Sequence, residues 1–300
     1  MTLRRRSSRS RMRCEATATQ QPETAQPARA AWLAELGRIR KLRNCLCQER
    51  DSSLLSSLVG NTASRPDYGI DAPGVIRNLL VIGVALLLLG WLLPRVKVAS
   101  VIFLVRPGAW VTGILLIVEG ILMIVYSKWG KFQHRDHMLR MVNWQGNESV
   151  LDVGTGRGLL MIGAAKNLQT GRAVGIDIWS TKDLSGNTME GTVHNAELEG
   201  VRERIEVQDG DATDMKFADA SFDVVLSNLC IHNIPTKAAR AEACKEIVRV
   251  LKPGGRALIS DFIHTADYVK AFQAAGATAS RTGMDFLFTF PWLRTVDVRK

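Results

Sequence analysis

Residues 150–160 read Val-Leu-Asp-Val-Gly-Thr-Gly-Arg-Gly-Leu-Leu. An apolar run closes at Asp152, glycines follow at 154, 156 and 158, and apolar residues then resume at helical spacing. That pattern predicts a buried strand, a tight turn and the start of a helix. Glycine permits positive φ and lets a ligand lie against bare backbone, beside the unpaired N–H groups of the helix start. Dinucleotides usually take G-x-G-x-x-G with the pyrophosphate on the helix N-terminus. Here the spacing is G-x-G-x-G, and Asp152 stands two residues before the first glycine. A carboxylate at that point suits a ligand carrying an ammonium group.

The net charge of +10 would fit a nucleic-acid partner if it lay on this segment. It does not. Residues 130–300 carry 21 basic and 21 acidic side chains, so the whole excess belongs to the first 129 residues. A phosphate-gripping stripe on the glycine-turn domain is therefore not expected. Five scattered cysteines, at 14, 45, 47, 230 and 244, suggest reduced thiols, and the lone Cys45-x-Cys47 pair gives no expectation of a metal site.

Residues 1–50 form a basic tail. Arg4, Arg5, Arg6, Arg9, Arg11 and Arg13 precede the first acid, Glu15, and the polar stretch that follows is expected to be disordered. An Arg- and Ser-rich, acid-poor start resembles an organelle transit peptide, and fits equally a solvated tail before a membrane helix. Ala30–Gln48 reads as a basic amphipathic helix. Residues 75–127 then hold two apolar spans. Leu79–Leu93 has 15 uncharged residues, a rise of ~22 Å, short of the ~30 Å hydrocarbon core unless Val75, Ile76 and Arg77 extend it. Ala109–Tyr126 has 18. Two such spans in tandem predict a transmembrane hairpin, with Trp91, Trp110 and Tyr126 near the interfaces. Gly83 and Gly90, and Gly113 and Gly120, are each seven apart, which puts each pair on one helix face and allows close packing. Glu119 costs roughly 2.5–3.5 kcal/mol on insertion scales, so it is expected to be protonated, or to face the partner helix or another subunit. Both hairpin ends fall on one side, and the basic tail favours the cytosolic side or its stromal or matrix equivalent.

From residue 130 to 300 strands and helices alternate. Strands are expected near Ser149–Val153, Ala173–Asp177, Ile205–Gln208, Asp223–Ser227 and Ala257–Ser260. Helices are expected near Phe132–Val142, Gly158–Leu168, Met189–Glu199, Ala238–Leu251 and Ala266–Ala275. This implies an α/β fold, a mostly parallel sheet with helices on both faces, binding ligands at the C-terminal strand ends where strand order reverses.

Several motifs in this stretch, taken together, resemble class I S-adenosylmethionine (SAM) methyltransferases, nearest the ubiquinone/menaquinone-biosynthesis type. They are Asp152-x-Gly154-x-Gly156-x-Gly158, Val174-Gly175-Ile176-Asp177, Gly210-Asp211-Ala212, the strand Phe222–Asn228, and Glu246–Gly255 ending in Pro-Gly-Gly. The resemblance implies a Rossmann-like sheet, with Ala277–Lys300 adding two strands, one of them antiparallel. It implies SAM as cofactor, held by Asp152, Gly154, Thr155, Gly156, Gly158 and Asn228. Asp177 would hold the ribose, Ile178 would pack near the adenine, and Asp211 and Ala212 would meet its edge.

After the fourth strand comes Leu229-Cys230-Ile231-His232-Asn233-Ile234, a loop that borders the substrate in small-molecule relatives. The Asn-Pro-Pro-Tyr of amide and base-nitrogen methylases is absent. His232 is a candidate general base. The expected function is a membrane-anchored SAM-dependent methyltransferase acting on a small, lipophilic acceptor such as a quinone, phenol, sterol or lipid. Rivals are a catalytically silent SAM-binding scaffold, a methyltransferase for a membrane-protein partner, and a nucleotide-dependent reductase.

Overall fold

The computed structural model describes residues 65–300. The basic tail, the Ala30–Gln48 helix and Cys14, Cys45 and Cys47 lie outside the described residues.

Helix α1 (Pro73–Leu92) begins six residues before the Leu79–Leu93 span expected from sequence, taking in Val75, Ile76 and Arg77, with proline inside its first turn, where no N–H is needed. Its 20 residues rise ~30 Å. A β-hairpin, β1 (Arg95–Val98) and β2 (Val101–Leu104), makes the connection, which the sequence reading left without structure. Helix α2 (Val105–Val125) returns against α1. The four glycines face inward. A Cβ added at Gly83 would lie 2.8 Å from the Gly113 carbonyl oxygen, and one at Gly113 would lie 2.7 Å from that of Gly83. Gly90 abuts Trp110, and Gly120 abuts Leu80. By length and composition both helices can cross a membrane.

After α2 the helix does not stop. A π-helical turn at Tyr126–Gly130 leads directly into α3 (Lys131–Arg140). Such turns rotate the residues around them, here aiming Tyr126 and Ser127 toward the domain that follows. Gly130 passes so close to the Phe288 carbonyl that no side chain fits. Lys131 is buried, and its ammonium donates to the carbonyls of Tyr68 (2.7 Å) and Gly69 (2.8 Å) and to Asp71 (3.2 Å). Burial pulls its pKa down, partly offset by Asp71. His134, also buried, bonds Ser260 (2.7 Å) and Asp285 (3.4 Å). The Asp285 carboxyl is held down at about 2, chiefly by His134.

The α/β body comprises β3 (Ser149–Val153), α4 (Leu159–Ala165), β4 (Arg172–Asp177), α5 (Met189–Leu198), β5 (Ile205–Asp209), β6 (Phe222–Asn228), α6 (Lys237–Val250), β7 (Leu251–Asp261), α7 (Thr265–Ala274), β8 (Thr278–Asp285) and β9 (Leu293–Arg299). The sheet order is β5-β4-β3-β6-β7-β9-β8, and β9 runs antiparallel to both neighbours. Successive strand residues face opposite sides. Thus Val150, Leu226 and Leu258 enter a core with Met138 of α3 and Leu160–Ile162 of α4. Leu151, Val225 and Ile259 enter the other, with Ile247 of α6 and Phe272 of α7. The Pro-Gly-Gly segment, read from sequence as a helix stop ahead of the fifth strand, forms an irregularity inside β7: Phe222 pairs with Leu251, but Val224 pairs with Arg256.

A Lys131→Met substitution leaves two carbonyls and a carboxylate without their donor. It is expected to cost about 2–3 kcal/mol, lowering the thermal midpoint by several degrees in near-UV circular dichroism of the detergent-solubilised protein.

Candidate active site

Strand order reverses beside β3: the chain proceeds to β4 and β5 on one side, then crosses to β6 on the other. A crevice opens there at the C-terminal strand ends. It contains a cavity of about 1060 Å³.

The glycine turn forms its floor. Gly154, Gly156 and Gly158 have φ of 73°, 56° and 86°, the left-handed region where side chains are costly. A Cβ at Gly154 would meet the Cys230 Sγ at 2.3 Å. Gly154 and Gly156 line the cavity; Gly158, buried against Ile162 and Thr192, does not.

Asp177, at the end of β4, lines the cavity. Its Oδ2 accepts from the Gly156 N–H (2.7 Å), and its Oδ1 accepts from the Trp179 N–H (2.7 Å) and Asn187 Nδ2 (3.2 Å). Two carboxylate oxygens offer about four acceptor directions, and three are taken, so one, on Oδ2, remains for a ligand hydroxyl. Ile178 beside it is 72% exposed, an apolar shelf at the cavity wall. Asp211 and Ala212 form the opposite wall, the Asp211 Oδ1 accepting from the Thr213 N–H and hydroxyl, both at 2.8 Å.

Asp152 stands differently from the sequence reading. Its carboxylate turns away from the cavity, and its Oδ2 accepts from the Thr155 hydroxyl (2.9 Å) and the Met161 N–H (2.9 Å). Burial pushes it up to about 7, against the pull of those two donors. Neither Asp152 nor Thr155 lines the cavity. They brace the turn and the first turn of α4 from behind. Asn228 lines the cavity, and its Oδ1 is buried with no partner, while its Nδ2 lies 3.4 Å from the Tyr126 hydroxyl. Asn187 Oδ1 is likewise buried and unpartnered at the cavity wall.

Beyond β6, Leu229 takes a positive φ of 54° and swings the following loop across the strand ends. Cys230 is kept a neutral thiol by burial, reinforced by the nearby charges of Asp177, Asp261 and Asp152. His232 lines the cavity with its Nδ1 2.9 Å from Asp261 Oδ1. Asp261, fully buried at the end of β7, also accepts from the His232 N–H (3.1 Å), the Phe262 N–H (2.9 Å) and the Tyr268 hydroxyl (3.1 Å). Burial and the neighbouring Asp261 charge raise the Tyr268 phenol, so it remains a donor.

Residues 65–72 were not read as functional from sequence, yet they strap over this end of the sheet. Ala72 N–H donates to the Asp183 carbonyl (2.8 Å), Ser185 N–H to that of Ile70 (3.0 Å), and Asp71 N–H to the Ser127 hydroxyl (3.1 Å). The cavity wall therefore draws on Asp71, Ser127, Asp183 and Asn187.

Five carboxylates line the cavity, Asp71, Glu119, Asp177, Asp183 and Asp211, against Lys182 as its one ammonium. Acceptor-rich walls with orphaned oxygens fit a donor-rich cation such as SAM and oppose a pyrophosphate.

Comparison with known proteins agrees. Residues 151–259 match the family profile described as a methyltransferase domain. The chain is 33% identical over 145 residues to the chloroplastic 2-phytyl-1,4-beta-naphthoquinone methyltransferase of Arabidopsis thaliana, 47% of this chain and 53% of that one. It is 32% identical over 129 residues to the demethylmenaquinone methyltransferase of Lactiplantibacillus plantarum, 42% and 51% of the two chains. It is 33% identical over 122 residues to the arsenite methyltransferase of Halobacterium salinarum, 40% and 29%. The α/β body resembles a class I SAM-dependent methyltransferase domain. The chain spans about half the length of the two quinone methyltransferases it matches, and the helical hairpin lies outside the profile match.

Asp177→Asn turns an amide toward the Gly156 donor and removes an acceptor, so SAM affinity by titration calorimetry is expected to fall tenfold or more. Asp152→Asn is expected to change it less than threefold.

Proposed function

We propose that this protein is a SAM-dependent methyltransferase, anchored in a membrane by its helical hairpin and acting on a small lipophilic acceptor of the quinol or phenol kind. The observation that carries this reading is the single cavity running from the glycine turn to Leu79, Glu119 and Met123 of the hairpin.

Membrane anchoring is supported by what the hairpin leaves uncovered. Only 17% of each apolar window is buried, and large apolar side chains such as Val81, Trp91, Val111 and Leu115 are more than half exposed. Core helices of a water-soluble domain bury that surface, and uncovered patches of this extent need a partner. The relatives' quinone acceptors motivate the acceptor class. The Arg- and Ser-rich start, with a chloroplastic relative, points to an organellar membrane with the domain on the stromal, matrix or cytosolic side.

SAM would be held by the backbone of Gly154 and Gly156, by Asp177, by Asn228 Oδ1, and by Ile178, Asp211 and Ala212. When bound, it supplies an electrophilic methyl group on a sulfonium. The protein's contribution is positioning, exclusion of water and one proton transfer. Asp261 holds the His232 backbone N–H, with the ring Nδ1 2.9 Å from its Oδ1 but outside hydrogen-bond geometry, and Nε2 is the acceptor of a hydroxyl proton in this reading. The buried Tyr268 and Phe262 N–H donors keep Asp261 oriented. The apolar rims, Phe262, Phe290 and Pro291, exclude water from the acceptor end.

Native membranes incubated with the full-length protein and methyl-labelled SAM are expected to carry label in the solvent-extractable fraction. Label confined to protein would favour a protein substrate. SAM binding without any transfer would favour a silent scaffold. His232→Ala is expected to lower turnover at least 100-fold with SAM affinity unchanged, and unchanged turnover would remove the base from the mechanism.

A further inference from the structure

The cavity is larger than one ligand needs. At about 1060 Å³ it exceeds the roughly 300–1,000 Å³ of pockets for a single drug-sized molecule. Its two ends also differ in chemistry. The glycine-turn end is walled by Asp177, Asn187 and Asp211; the hairpin end is walled by Val75, Leu79 and Met123, with Asn78 and Glu119 at the rim.

Asn78 and Glu119 sit at one level of the two helices. Gly120, next to Glu119, packs on Leu80 and Leu79, next to Asn78. Glu119 lies seven residues, ~10 Å, along the helix from Tyr126, whose hydroxyl reaches Asn228. The rim is thus set inside the apolar span, about two helical turns from the methyltransferase strand ends. Past it, the helices close on one another at Gly83–Gly113 and Gly90–Trp110. An ionisable residue inside a membrane segment is expensive, and it persists where it faces a wet cavity or a substrate route. Glu119 has such a cavity beside it, which resolves the question its sequence position raised.

We propose that the exposed flank of the α1–α2 pair, where Asn78 and Glu119 line the cavity, is a side port through which a tailed acceptor enters from the bilayer, and that Val75, Leu79 and Met123 then hold its tail. This rests on the acceptor reading above. The ligand is an amphiphile: a ring bearing a hydroxyl, joined to an apolar chain at least ~10 Å long, the distance from Tyr126 to the rim. The rim side chains offer acceptors to the hydroxyl while it crosses the apolar level. The ring then stops at His232 and Asn228, leaving the chain against Met123 and Leu79. A water-soluble acceptor has no use for this half of the cavity.

The test uses the full-length protein in lipid discs and a 2-polyprenyl-1,4-naphthoquinol carrying a photoreactive diazirine in its chain. Labelling mapped by mass spectrometry is expected at Val75, Leu79 and Met123 at least fivefold above Leu88 and Leu115, which face outward. Met123→Trp, which fills the tail site, is expected to lower that labelling at least fivefold, and Leu115→Trp to leave it unchanged. Glu119→Leu is expected to lower it, and Glu119→Gln to retain it. Label spread evenly over outward and cavity-facing residues, or undiminished in a folded Met123→Trp protein, overturns the port. Cavity labelling without methyl transfer to the probe would support the port and count against a quinol acceptor. Methyl transfer with no cavity labelling would do the reverse.

Discussion

The arrangement of the whole domain depends on three residues that must take left-handed backbone angles in eleven positions of sequence. At Gly154 a side chain would collide with Cys230, and at Gly158 with Ile162. Because none is present, β3 ends abruptly, the chain reverses under the β6 loop, and α4 starts with its Met161 N–H on Asp152. The Gly156 N–H donates to Asp177 of the neighbouring strand, so the same turn that frees space for a ligand also ties β3 to β4. Asp152 completes the device from inside. Its buried carboxyl accepts from the two donors that hold the turn.

The second constraint is that one continuous helix serves two packing environments. The segment from Val105 to Arg140 begins as an apolar rod and ends as a layer of the α/β domain. A π-turn at Tyr126–Gly130 makes the change of face, and Lys131 and His134 secure it from the domain side. Lys131 does so by satisfying carbonyls of the strap at residues 68 and 69, which itself closes the crevice. The hairpin, the strap and the cofactor crevice are therefore linked through a single buried ammonium.

Much of this was legible in the sequence, and what was not has physical reasons. The strands and helices of the body follow from alternation and from glycine and proline, because β3, β4, β6 and β7 are largely buried and helices such as α6 and α7 bury one face. The inward glycines of the hairpin followed from their spacing. The strap escaped because Arg65–Ala72 has no period to read and acquires its shape from partners more than fifty residues away. Asp261 escaped because it lies one residue past the strand as read, and a strand-end acid declares no partner until His232 is folded beside it. The role of Lys131 escaped because burial of a lysine is decided by tertiary contacts. The direction of the Asp152 carboxylate was misread for the same cause: spacing fixes where a side chain starts, not which way it leaves.

The shared rod imposes a metric on the molecule. Each residue of helix advances ~1.5 Å and turns ~100°. Between Glu119 and Lys131, inserting or removing one residue would rotate the rim relative to the strand ends by more than a quarter circle, parting the two halves of the cavity. The β1–β2 tip has no such duty and tolerates changes of length. Hairpin and α/β body are thus not two modules on a tether but a single gauge, with its scale set by the helical repeat.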